Sequence, residues 1–403
     1  MFNSKKKKAK ELERLEEEKK IEEYEKKMED GEFDKSDESE SVDSNSNSEE
    51  EEINIGFMKP ENYGVLLPYV EDINVTDINW NGRQLWVDDL TRGRYVSDII
   101  LNDEFVDTFA TRVSNVVSKP FNKYTPKLEA ETEELRVSIL HNSISMTGTC
   151  ISIRKTPAVK RINFRETIES GDYCSVEIAN IMSNAVKAKM NIVVCGLTGS
   201  GKTELVKYLT GYIFPHDRAI TIEDTLEIHY ADINPTKDCL SLKVNDTTFT
   251  YTDAIKASLR QLPQWIILSE ARSIEVKYLL ESLSTGAKCL TTIHTDDVRK
   301  LPDRIHNMLG KEIYDDRIEN EVYSFIDMAI LINKKITYNE ELGHDEIKRY
   351  IDQVAIFDRD DKGNNTCNLI FDEGKRTNVD IQPSIQHRFE IAGISDPYKY
   401  TFI

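Results

Sequence analysis

Four short apolar runs in the second half of the chain set its expected architecture. Asn191 to Cys195 (NIVVC), Ala219 to Asp224 (AITIED), Trp265 to Glu270 (WIILSE) and Cys289 to His294 (CLTTIH) are apolar at successive positions. That is the pattern of strands covered on both faces inside a parallel sheet. IANIMSNAVKAKM precedes the first run, and DAIKASLRQ and SIEVKYLLESL lie between later ones, each with apolar residues at helical spacing. The stretch from Lys202 to about Tyr212 predicts a helix directly after the first strand. Apolar strands alternating with helices imply an α/β layer structure. Upstream, VTDINWNGRQLWVDD and RGRYVSDI read as short strands around a glycine turn, ILNDEFVDTFATRVSNVVSK as a helix, and LRVSILHNSISMTGTCISIRK as paired strands. We therefore expect a small α+β domain over 56–157, a polar connection over 158–175 and an α/β domain over 176–403. The last 70 residues (MAILINKK, YIDQVAIFDR, CNLIFDEG) predict a mostly antiparallel extension with turns at DDKGNN and DEGKR.

The segment 1–55 differs from all of this. Its first 52 residues hold 11 Lys/Arg and 20 Asp/Glu and end in SDESESVDSNSNSEEEE, which lacks the apolar surface to offset chain entropy. KKKKAKELERLEEEKKIEEYEKKMED suits a solvated helix, but Leu12, Leu15, Ile21, Tyr24 and Met28 keep no heptad. A charged solubilising tail and a tether to a partner both fit this composition.

Charge and cysteine usage narrow the function classes. With 72 Asp+Glu against 52 Lys+Arg the chain is strongly acidic, so direct nucleic-acid binding, which needs an electropositive face, is not expected. Six cysteines show neither CxxC nor CxH spacing, which suits reduced thiols in the cytoplasm. No apolar stretch of about 18 residues occurs, so any membrane association is expected to be peripheral.

The first buried strand runs into GLTGSGKT, Gly196 to Thr203, and then a helix. In that context the glycines let consecutive backbone N–H groups converge on phosphate oxygens at a helix N-terminus. Lys202 then reaches the β- and γ-phosphates, and the Thr203 hydroxyl serves Mg²⁺. The expected nucleotide-binding set is Gly196, Thr198, Gly199, Ser200, Gly201, Lys202, Thr203 and Glu204. Hydrolysis further needs carboxylates and cations beside the phosphates. Glu223 and Asp224, followed by Glu227, leave one strand, and Glu270 and Arg272 leave another. In open parallel sheets ligands bind beyond the carboxyl ends of the strands, so both clusters face the P-loop crevice. His294 closes a third strand, where a structural hydrogen bond and a phosphate contact are equally suited to it.

Taken together, GLTGSGKT, ITIEDTLEI, LRQLPQWIILSEARSIE and TGAKCLTTIHT resemble, in that order, the Walker A, Asp box, Walker B and His box of the secretion and traffic ATPase superfamily. The resemblance spans roughly residues 75 to 335 and sits nearest the tight-adherence pilus and conjugation branch. It implies a RecA-like P-loop ATPase domain behind a small α+β domain, with ATP and Mg²⁺ as ligands. By position, Glu223 would be the Asp-box acid acting on water, Glu270 the Walker B acid acting with Mg²⁺ beside Thr203, and His294 the histidine near the γ-phosphate. DINWNG, LRVSI and SMTGTCISIRK resemble the family's upstream strands, which would make Arg136 and Arg154 γ-phosphate arginines, and Arg260 and Arg272 the arginines around Walker B. Arg136 and Arg154 also suit a solvated strand surface. Two positions depart from the pattern: Ser269 replaces the usual glycine before Glu270, and Ala287 follows Thr285 and Gly286 where a histidine is usual.

The resemblance implies a homohexameric ATPase that powers a type II/IV secretion, pilus or conjugation machine through an inner-membrane platform protein, at the cytoplasmic face of a bacterial membrane. A nucleotide-gated scaffold with weak turnover and a DNA-processing P-loop ATPase are the competing readings. Whether protein, pilin or DNA is moved is not encoded in these motifs.

Overall fold

A computed structural model describes residues 59–132, 134–245, 247–309, 316–340, 344–360 and 362–401. The charged segment expected over 1–55 lies outside the described residues.

The first sheet is antiparallel. Its strands β1 (Val75–Trp80), β2 (Leu85–Asp89), β3 (Gly93–Val96), β4 (Lys127–Glu131), β5 (Leu135–Leu140) and β6 (Cys150–Lys155) lie in the order β3-β2-β1-β6-β5-β4. Period-two alternation gives it one apolar face, where Val87, Val137, Ile139, Ile151 and Ile153 are buried. The helix Asp103–Val116 covers that face with Val106, Phe109, Ala110 and Val113, and the Asn102 side chain caps it by accepting the Phe105 N–H.

The opposite face is polar and carries a charged row. Arg94, Asp88, Asp77, Arg154, Arg136 and Glu131 are successive cross-strand partners from β3 to β4. Arg94 pairs with Asp88 at 3.2 Å and Arg154 with Asp77 at 2.9 Å.

The second sheet has nine strands in the order β15-β14-β13-β12-β7-β11-β10-β8-β9. Its parallel part comprises β7 (Ile192–Cys195), β8 (Ala219–Glu223), β9 (Cys239–Lys243), β10 (Trp265–Leu268), β11 (Lys288–Ile293) and β12 (Met328–Asn339). The strands β13 (His344–Arg359), β14 (Asn365–Asp372) and β15 (Lys375–Arg376) continue it antiparallel. β7, β8 and β10 are buried at every residue, as their uninterrupted apolar runs require. Separate apolar clusters cover the two faces, one including the helix Val176–Lys187 and the other the helices Tyr251–Ser258 and Glu275–Leu283.

Several elements have no clear pattern in the chain. β4 (KLEAE) and β9 (CLSLK) are mixed-polarity edge strands, and the helix Pro383–Ile391 buries only Ile385 and Phe389. The polar-looking stretch 158–175 buries Ile162, Ile168, Tyr173 and Cys174 in the core. The C-terminal extension is continuous with the main sheet, because β12 pairs in parallel with β7. Among the described residues no helix is long and apolar enough to cross a membrane.

Candidate functional site

β7 runs into a loop and then the helix Lys202–Thr210, so the glycine-rich motif lies at the carboxyl edge of the parallel sheet. Gly196 is required by close packing: a Cβ there would lie 2.5 Å from Ser200 Oγ and 2.7 Å from the Ile332 carbonyl. The Ser200 N–H closes the turn onto the Leu197 carbonyl at 3.2 Å. The Ser200 hydroxyl is buried beside Gly196 without a hydrogen-bond partner, just before the N-terminus of the following helix. The Lys202 ammonium donates to the carbonyls of Gly196 (3.1 Å) and Leu197 (3.3 Å) and to His294 Nδ1 (3.3 Å). Burial pulls its pKa down.

From Lys202 an unbroken line of polar contacts crosses three strand ends. Because an ammonium can only donate, His294 Nδ1 accepts from it and Nε2 carries the proton. That N–H reaches Glu270 Oε1 at 2.9 Å. Arg272 donates to Glu270 Oε2 and to Asp224 Oδ2, both at 2.9 Å. Burial, helped by the Lys202 charge, holds the His294 pKa below its ordinary value and so favours this neutral tautomer.

The acid beside the P-loop hydroxyl is Glu227: Thr203 Oγ1 donates to Glu227 Oε2 at 3.2 Å. Glu223, which the resemblance implied for the water-directing role, is turned beneath the following turn. Its Oε1 accepts the N–H groups of Glu227 (3.2 Å) and Ile228 (2.9 Å), and burial pushes its pKa up to about 7. The pattern that reveals Glu227 is its spacing in ITIEDTLEI, four residues after Glu223, where a turn folds back on the strand end. Glu204 faces its own helix, accepting from Lys207 at 3.3 Å, so the structure does not aim its carboxylate at the cradle. Arg260 is exposed in the turn Leu259–Gln261 before β10, at the opposite edge of the sheet from Glu270, and is not brought to this site.

The charged row of the first sheet meets the turn after β8. Arg136 donates to Thr225 Oγ1 at 3.0 Å, and Lys243 donates to Glu131 Oε2 at 2.8 Å. Arg154 is held by Asp77, with the Glu227 charge adding to its electrostatic surroundings. His229, itself buried, joins the same boundary through Nε2 and the Thr156 carbonyl at 2.6 Å.

Both departures from the expected motifs are accommodated locally. Ser269 has no left-handed backbone that would demand glycine, and its hydroxyl bonds Tyr251 OH at 3.2 Å. That tyrosine oxygen also accepts the Asp224 N–H at 3.1 Å, tying the Glu270 strand to the β8 turn. Ala287 is buried just before β11, one strand length from His294.

A glycine cradle between a buried parallel strand and a helix, with acids and a histidine at neighbouring strand ends, defines a RecA-like P-loop fold preceded by a small α+β sheet. The chain belongs to the type II/IV secretion system protein family, whose model matches residues 123–390, more than half its length. An uncharacterized protein of Bacillus anthracis is 24% identical over 319 residues, covering 78% of this chain and 71% of that protein. A putative conjugal transfer protein of Mycobacterium tuberculosis is 25% identical over 256 residues, covering 60% of this chain and 71% of that protein. The crystal structure of the ATPase DotB from Legionella pneumophila shares the fold, with a TM-score of 0.52 at 16% identity over 71% of this chain and 78% of that one.

Burial of Glu223 yields a pH signature. A carboxyl whose pKa rises from 4.5 to about 7 on folding binds its proton more tightly in the native state. Its stabilising contribution is therefore full below the unfolded pKa and is lost as pH rises through about 7. Glu223→Gln keeps an acceptor oxygen for the two N–H groups and removes the titration. In urea unfolding the variant should gain on wild type by roughly 3 kcal/mol between pH 4 and pH 8. Parallel stability profiles would show that Glu223 does not titrate as its burial requires.

Proposed function

We propose that this chain binds ATP with Mg²⁺ at the P-loop and hydrolyses it as one subunit of a homohexameric motor. The motor would serve a type II/IV secretion, pilus or conjugation machine through a membrane platform protein, at the cytoplasmic face of a bacterial membrane. The observation that carries this reading is the continuous line Lys202, His294, Glu270, Arg272 and Asp224 beside the glycine cradle.

In this reading the backbone of Gly196, Thr198, Gly199, Ser200 and Gly201 cradles the phosphates and Lys202 neutralises them. The Thr203 hydroxyl, bonded to Glu227, and the Glu270 carboxylate across the strand ends would offer Mg²⁺ the oxygen ligands it prefers. When bound, that ion neutralises charge on the β- and γ-phosphates. Glu227 orients or deprotonates water, Glu270 orders the strand-end network, and His294 links it to Lys202. Arg136, presented from the other sheet, stabilises charge developing on the γ-phosphate and couples hydrolysis to motion of residues 56–157 against 176–403. Arg260 is exposed at the far edge of the sheet, so a phosphate role for it requires a neighbouring subunit, as a ring provides. The Mycobacterium relative supports the conjugation branch.

Steady-state phosphate release tests the enzymatic core. Lys202→Ala, Glu270→Gln and Glu227→Gln should each lower turnover about 100-fold or more. Wild-type turnover no faster than these variants would leave the nucleotide-gated scaffold in its place.

Arg136→Ala should cut kcat roughly 100-fold while ATP affinity changes little, because the charge it meets develops in the transition state. An equal loss of ATP affinity with unchanged kcat would assign Arg136 to ground-state binding instead.

A further inference from the structure

The outer side of the P-loop is covered by the C-terminal hairpin. Lys334 of β12 and Arg349 of β13 are direct cross-strand partners, so both side chains stand on the same face of the hairpin. Lys334 Nζ donates to the Thr198 carbonyl and Arg349 Nε to the Gly199 carbonyl, each at 3.2 Å. The fit is close: a Cβ on Gly199 would sit 3.3 Å from Lys334 Nζ, and one on Gly201 would sit 3.5 Å from Arg349 Cδ.

A trans peptide holds its C=O and N–H on opposite sides of one plane. Pinning the Thr198 carbonyl outward therefore turns the Gly199 N–H to the side of the loop away from Lys334. Pinning the Gly199 carbonyl holds the next N–H, of Ser200, where it closes the turn onto Leu197. The loop needs such support, because Gly199 and Gly201 take φ of 73° and 99° and glycine retains the most backbone freedom to lose. Charged donors also polarise the peptide and strengthen its N–H as a donor.

We propose that Lys334 and Arg349 are positioning residues of the nucleotide site: a cationic clamp on the β12–β13 hairpin that presets the P-loop peptide planes for phosphate. The inference rests on the nucleotide-binding reading of the loop. It assigns to the C-terminal region a part in binding that the P-loop motif does not reveal.

Titration of the full-length protein with fluorescent ATP and ADP analogues tests it, with Lys202→Ala as the reference. Lys334→Met and Arg349→Met should each weaken both nucleotides about 5- to 10-fold, and Lys334→Arg should restore affinity to within twofold of wild type. KM for ATP should rise by the same factor while kcat at saturation stays within twofold. A purely structural role would instead lower kcat and the unfolding midpoint together, and that result overturns the proposal. Affinities within twofold of wild type in both Met variants, with binding lost in Lys202→Ala, overturn the clamp alone. Unchanged binding in Lys202→Ala overturns the nucleotide site and the clamp with it. Lys334 is exposed, so its replacement spares the fold and decides the matter if Arg349→Met does not fold.

Discussion

Parallel pairing of β8, β10, β11 and β7 is the constraint on which the rest of the molecule depends. Each of these strands is hydrogen-bonded on both sides, and apolar clusters pack on the two faces of their sheet. A charged side chain within such a strand would lose its hydration without a partner, at a cost of several kcal/mol. Chemistry is therefore excluded from the strands and collected where they end. Lys202, Glu227, Glu270, Arg272 and His294 all lie just past a strand terminus on one edge. Their mutual hydrogen bonds satisfy most of the polar groups crowded there, and this holds the cluster in one arrangement.

The same constraint explains what was legible in the chain. Strands buried on both faces leave unbroken apolar runs, so NIVVC, AITIED, WIILSE and CLTTIH announced themselves, and the residues ending them marked the site edge. Edge strands bury one side poorly; KLEAE and CLSLK have too little contrast to be read without their neighbours. Side-chain direction beyond a strand end depends on the turn that follows, which no periodicity encodes. Hence Glu223, to which the resemblance gave the Asp-box role, accepts the N–H groups of the following turn, while Glu227, which the resemblance left without a role, meets Thr203. Lys334 and Arg349 were invisible for a different reason. Their meeting depends on the register of a long hairpin, and each alone reads as an ordinary surface cation.

The charged row across the first sheet has two like-charge neighbours, Asp77 beside Asp88 and Arg154 beside Arg136. Such pairs destabilise a sheet unless each member is neutralised elsewhere. Asp88 is matched by Arg94 and Asp77 by Arg154, although burial, with Asp77 nearby, still raises the Asp88 pKa. Among the described residues Arg136 makes no such carboxylate bond; it bonds the neutral Thr225 hydroxyl and has Glu131 as its cross-strand neighbour on β4. This separates the two arginines: Arg154 is held within its own sheet by Asp77, and Arg136 reaches across to the β8 turn.

The first sheet touches the second at points far apart on its width. Near one edge, Arg136 of β5 meets the β8 turn; at the other, Gly93 of β3 lies against Asp345 and Ile347 of β13, which also carries Arg349. Four strand spacings separate β3 from β5, about 19 Å at ordinary sheet dimensions. A rigid sheet held at two such points turns when one contact yields and the other holds. In the proposed ATPase cycle the γ-phosphate is lost beside Arg136, while the α- and β-phosphates remain in the clamped loop. In that proposed cycle, loss of the β5 contact with the hairpin contact retained would turn the first sheet about its β3 edge, and the Lys243–Glu131 and His229–Thr156 bonds at the same boundary would have to yield with it.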